Sequence, residues 1–212
     1  SQVELKEFFG CELEINEENA EKIWEQCNDY IAKNDVTPAS LIERSNVKCV
    51  VTTNEVFDDL TTFEKIKEKG YKFTVIPAFR ADKIMNIEAE KYNDFIGLLE
   101  DKTSKINNLK DLEAALETRL EAFIKVGCRA SDIALESVYP VADGKLAEEV
   151  FLKRRSGKAV TEEETKEFKG YLTYFLMKTY AKHGVATELH VGAMRNNNSV
   201  MLKKLGLDTG FD

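Results

Sequence analysis

Four short runs rich in β-branched and aromatic residues alternate with helical stretches along this chain, and that order restricts the fold more than any other feature. The runs are residues 46–53 (NVKCVVTT), 71–78 (YKFTVIPA), 128–136 (CRASDIALE) and 185–191 (VATELHV). Their length and composition read as buried strands, although 128–136 alternates imperfectly. Pro77 belongs at a strand end, because it cannot donate to a central ladder. Helical patterns fill the gaps at 61–69, 88–99, 109–126, 146–156, 161–182 and 196–204. The segment 109–126 carries Leu109, Leu112, Leu116, Leu120, Phe123 and Ile124 on one stripe. Thr161 and Glu164 form a capping-box pattern, and Gly70, Gly127 and Gly184 stand where helices should stop.

Strands separated by helices are the signature of a parallel sheet with crossover connections. Two architectures compete, a doubly wound sheet and a (β/α)8 barrel. No GxGxxG and no GxxxxGK[ST] follows any of the four runs, so the nucleotide-binding sheet loses support. Four βα units make half a barrel. The expected fold is therefore α/β, a partial (β/α)8 TIM-type barrel containing middle βα units with helical additions. Residues 1–45 form a helical lead-in and 46–212 the βα units of a single incomplete segment. In the lead-in, Ala20, Ile23, Trp24, Cys27, Tyr30 and Ile31 make one apolar face of a helix that begins near Asn16. Thr37-Pro38 opens a short helix, and Phe8 to Cys11 reads as a loop or short strand. The chain opens on Ser1 without an initiator Met, which suggests a piece of something longer.

Composition narrows the function classes. With 30 Lys+Arg against 38 Asp+Glu the net charge is −8, which argues against a general nucleic-acid binder. Apolar residues at 43% suffice for a packed core. No apolar run approaches the ~18 residues needed to span a bilayer, and no signal-peptide pattern leads the chain. The expectation is a cytoplasmic protein with no membrane partner. The four cysteines, Cys11, Cys27, Cys49 and Cys128, have wide gaps and read as reduced core thiols. Cys49 fits that reading, since it sits in an apolar run.

In a barrel, chemistry gathers at the C-terminal ends of the strands. That rule selects Thr52-Thr53-Asn54, then Phe79-Arg80-Ala81-Asp82, then Ser131-Asp132, and then His190 through Arg195 with Asn196-Asn197-Asn198. Arg80 and Arg195 each offer a fork suited to a carboxylate, which points to an anionic small molecule. The alternative is ion pairing with Asp82 or Glu188. His190 is either a core histidine or a functional one, while His183 beside Gly184 reads as a helix-end cation. Asp132 is either a base or hydroxyl acceptor, or a helix cap. The three asparagines suit a cap, a polar loop or contact with sugar hydroxyls. No set of residues has metal-ligand spacing, so no metal site is expected.

The string Leu189-His190-Val191-Gly192-Ala193-Met194-Arg195-Asn196-Asn197-Asn198 is highly specific, and with it the chain resembles the uronate (glucuronate) isomerases of the amidohydrolase superfamily. The likeness extends to Phe9-Gly10, Ile23 through Asn28, Pro77 through Lys83, Gly127 through Asp132, and Leu205 through Asp212. The resemblance implies a barrel and an enzyme of hexuronate catabolism. Its reactions would interconvert D-glucuronate with D-fructuronate and D-galacturonate with D-tagaturonate. It also implies His190 and Asp132 as catalytic groups, Arg80, Arg195 and Asn196 as substrate-binding groups, and zinc in the whole enzyme.

Two departures stand against it. Ala78-Phe79 replaces the family's Ser-Trp, and Ala81 its Pro. More important, the family's His-x-His at the first strand is absent, and the chain ends before the last strands. The expectation is a fragment that is inactive alone and binds no metal, from a parent that is a homo-oligomeric isomerase. A non-catalytic sugar-acid-binding or scaffold protein is the alternative, and an unrelated small α/β domain the third option.

Overall fold

The computed structural model describes residues 1–141, 143–207 and 209–211. Asp208 and Asp212 of the C-terminal stretch lie outside the described residues. In chain order the elements are α1 (Gln2–Phe9), α2 (Ala20–Lys33), α3 (Pro38–Arg44), β1 (Cys49–Glu55), α4 (Thr61–Glu68), β2 (Thr74–Arg80) and α5 (Asp82–Met85). They continue as α6 (Tyr92–Glu100), α7 (Leu109–Lys125), β3 (Ile133–Leu135), α8 (Gly144–Arg155), α9 (Glu162–His183), β4 (Leu189–Val191) and α10 (Ser199–Leu205). The chain divides into two units, residues 1–50 with 65–75, and residues 51–64 with 76–212.

The first unit is held around Arg44. Its guanidinium donates to the carbonyls of Glu7 and Phe8 at 3.0 and 2.9 Å and lies over the rings of Phe8 and Tyr30. Phe9 meets Tyr30 edge-on at 5.8 Å. Two expectations are corrected here. Phe8 and Phe9 end helix α1, and Gly10 caps it in the left-handed conformation, φ 62°. A residue without a Cβ adopts that geometry at little cost, so the Phe-Phe-Gly sequence was a helix stop. Cys49 is exposed, not a core thiol, because it starts β1 on the strand's open side. The α2 stripe is amphipathic as expected, yet Trp24 is 68% exposed. Periodicity specifies an apolar face and not the partner that covers it.

The second unit contains the main core. Phe79, Phe123, Phe151, Phe168, Tyr92 and Tyr180 are all fully buried in it. Its strands follow each other in sequence order. Strands β1 and β2 are hydrogen-bonded neighbours, with Val56 N donating to Arg80 O at 3.1 Å and Thr52 Oγ1 to Ile76 O. Phe79 bridges Ser131 in parallel, and β3 pairs with β4 in parallel, Ile133 opposite Leu189 and Ala134 opposite His190. The strand predicted over 128–136 thus shrinks to 133–135, preceded by single bridges at Ala130 and Ser131. The fourth shrinks to 189–191, with Ala186 bridging Ala130. Helix α7 lays Leu109, Leu112, Leu116, Leu120 and Phe123 of the predicted stripe into this core, with Ala115 buried beside them and Ile124 partly buried against it.

One close approach sets Pro140 against α9. A Cβ at Gly170 would stand 2.0 Å from the Pro140 carbonyl oxygen. Beside it, Lys169 is almost fully buried, donating to Glu88 Oε1 at 2.6 Å and lying 3.4 Å from Glu136 Oε2.

Candidate functional site

Parallel pairing brings the ends of β1 and β2, the start of β3 and strand β4 to one level, and their polar side chains form a connected group. Arg80, the last residue of β2, has its Nε 3.0 Å from Asp82 Oδ2 and 3.7 Å from Asp132 Oδ2. Asp132 Oδ1 lies 3.2 Å from His190 Nε2, and the same nitrogen lies 3.2 Å from Glu188 Oε1. Asp82 also accepts from the backbone N–H of Ala134 at 3.0 Å, which ties α5 to β3. Burial pushes the Asp82 carboxyl up, against the pull of that N–H and of Arg80. The side chains of Asp82 and Asp132 are mostly buried, while that of His190 is 53% exposed. The imidazole is open to a ligand and the carboxylates behind it are fixed.

The structure therefore joins three of the predicted residues, Arg80, Asp132 and His190. It also realises the alternative reading, since Arg80 pairs with Asp82. Asp132 caps no helix. Arg195 is exposed on the loop that follows β4, and Asn196 is half-buried there with φ 57°. Asn198, not Asn196, caps α10, accepting from Met201 N.

Sequence reasoning missed Glu55. Strand β1 runs two residues past the predicted end at Thr53, so Glu55 rather than Thr52-Thr53-Asn54 occupies the strand terminus. Its side chain is 16% exposed, with Oε1 3.5 Å from Lys83 Nζ. Burial pushes its carboxyl up, and Lys83 opposes that. Lys83 is itself placed over Phe57 and Phe95, whose rings stack. The loop behind Glu55 is pinned by the buried Arg119 of α7, which donates to Val56 O at 2.6 Å and Asp58 O at 2.8 Å.

A second cluster was also missed. Glu117 and Glu121 of α7 and His183 at the end of α9 each bring a potential donor atom within 4.8 Å of the others. Sequence spacing could not show it, since 66 residues separate Glu117 from His183. Glu117 is already engaged, by Lys182 Nζ at 2.6 Å and His183 Nε2 at 2.8 Å. His183 is thus the helix-end group the sequence suggests, paired across to α7. The strand-end group does not fit zinc. It has one imidazole, and Asp82 and Asp132 face the Arg80 guanidinium rather than an open coordination position.

The whole chain, residues 1–212, matches the family model described as glucuronate isomerase. The chain belongs to the glucuronate isomerase family. Its relatives include a uronate isomerase of Caldanaerobacter subterraneus, 42% identical over 99% of this chain and 46% of the relative. One of Clostridium perfringens is 38% identical over the whole chain and 46% of its own length. The crystal structure of uronate isomerase from Thermotoga maritima superposes with a TM-score of 0.89 at 30% identity, over 100% of this chain and 47% of that one. The glucuronate isomerase of Caulobacter crescentus shares the fold, with a TM-score of 0.87 at 24% identity over 99% of this chain and 44% of that one. The chain spans about half the length of the curated relatives it matches. As a glucuronate isomerase family segment it has the part-barrel α/β architecture that the strand order indicates. Among the described residues no helix is long and apolar enough to cross a membrane.

Proposed function

We propose that this chain is a segment of a cytoplasmic, homo-oligomeric aldose–ketose isomerase acting on D-glucuronate and D-galacturonate. In this reading residues 1–45 are the helical lead-in to a single incomplete barrel segment. Arg80, Arg195 and Asn196 bind substrate, with an arginine on the carboxylate, and His190 and Asp132 handle hydroxyls or the moving proton. The observation that carries it is the linked series Arg80, Asp132, His190 at one level of the strands.

Isomerisation moves a proton between C2 and C1 through an enediol-like species while a hydroxyl proton moves between O1 and O2, so a base and an acid are both needed. His190 can do either, because its ring is exposed and its Nε2 lies 3.2 Å from Asp132 Oδ1. The Arg80 fork supplies two parallel N–H donors to a carboxylate once the substrate competes with Asp82. The resemblance implies zinc in the whole protein. The strand-end residues here make no donor set for it, and the 212-residue chain is expected to bind uronate without turning it over.

Calorimetry with D-glucuronate and an assay for D-fructuronate test both halves. Binding without turnover supports the reading. Clear turnover overturns the claim that the site is incomplete, and absence of binding overturns the carboxylate anchor.

A further inference from the structure

Among the described residues, few buried side-chain nitrogens and oxygens lack a hydrogen-bond partner, and three of them, Glu55 Oε2, Arg80 Nε and Asp132 Oδ1, stand at the strand ends. Arg80 and Asp132 at least have opposite charges nearby, at 3.0–3.7 Å, though not aligned for hydrogen bonds. Glu55 differs. Its Oε1 meets Lys83, and its Oε2 meets no donor. A buried oxygen of this kind is costly unless a donor arrives from outside the chain. Its backbone is held on both sides. Strand β1 fixes the backbone, Asp58 accepts from Glu55 N at 3.0 Å, and Arg119 holds the following loop.

We infer that Glu55 is a substrate-binding residue, an acceptor for a sugar hydroxyl, with Lys83 setting the direction of its carboxylate. Val56 N pairs with Arg80 O, so Glu55 and Arg80 stand on adjacent strand ends. Neighbouring strands lie about 4.8 Å apart, within the span of one polyhydroxy acid. Arg80 would take the carboxylate end and Glu55 a hydroxyl, so the pair discriminates a hydroxylated acid from a bare one. This rests on the uronate reading above. The acceptor role rests on geometry, because Lys83 Nζ stands 3.5 Å from Oε1 while Oε2 meets no donor.

The test is titration calorimetry of the 212-residue chain with D-glucuronate and with acetate, a carboxylate without hydroxyls. Glu55→Met removes both acceptors at similar length, and Glu55→Gln keeps one. Glu55→Met is expected to weaken D-glucuronate about tenfold or more, with acetate unchanged, and Glu55→Gln to weaken it less. Unchanged D-glucuronate affinity in Glu55→Met overturns the role of Glu55 and leaves the uronate reading standing. Equal losses for both ligands overturn it too, because they indicate a general disturbance. If the unaltered chain binds neither ligand, the uronate reading falls and this inference with it. Should Glu55→Met not fold, Glu55→Gln decides alone, by whether D-glucuronate weakens while acetate does not.

Discussion

Phe79 sits directly before Arg80, and its ring meets Phe123 edge-on at 5.1 Å and Tyr180 at 6.0 Å with no solvent exposure. It packs the base on which the strand-end charges stand. Phe79→Ala is expected to cost about 3–5 kcal/mol of stability, read from denaturant unfolding. Glu55 and Asp82 act in the opposite sense to most carboxylates. Burial raises both, so in the folded chain they hold protons that the unfolded chain has released. Stability from this source is present below the ordinary carboxylate value of about 4 and is lost as pH rises through the raised values. Glu55→Gln should remove part of that decline and leave the chain at least as stable at neutral pH, measured as unfolding free energy between pH ~4 and ~7. Glu117 behaves conversely, because Lys182 and His183 hold its carboxyl below the usual range. Its contribution is lost on acidification, and Glu117→Gln should flatten the acid limb of the same profile.

At the level of elements, helix α9 shows how much of the molecule is legible in advance. Its capping box is real, with Thr161 Oγ1 accepting from Glu164 N and Glu164 Oε2 from Thr161 N at 2.6 Å. The same Glu164 also receives Lys153 of α8 at 2.8 Å, so the cap doubles as an interhelical tie. Thr161→Ala is expected to cost about 1 kcal/mol, seen as a lowered midpoint in circular dichroism melting. The strands were readable because β-branched runs announce themselves, and Arg80, Asp132 and His190 were readable because parallel strands bring their C-terminal ends together. Glu55 was not, since glutamate is a poor strand former and follows the β-branched run rather than belonging to it. Lys169 was not either. Nothing in a helix sequence distinguishes a lysine buried beneath Glu88 and Glu136 from one in water. The exposure of Trp24 was hidden for the same reason, because burial depends on partners that are distant in sequence.

For the molecule as a whole, the strand series has two outer members. Val51 on β1 is 51% exposed and Val191 on β4 is 43% exposed. Open strand edges with apolar side chains favour association. Sedimentation velocity is expected to show concentration-dependent self-association, reduced by Val51→Thr with Val191→Thr. A monomer at all concentrations would contradict this. A consequence of Gly170 reaches further still. Helix interiors ordinarily prefer alanine to glycine by about 1 kcal/mol, yet here the Pro140 carbonyl occupies the place of a side chain. Among diverging relatives, this position becomes a marker that can be read without coordinates. A glycine there is compatible with the descent of the preceding loop onto the helix, and any larger residue reports that the loop has taken another path.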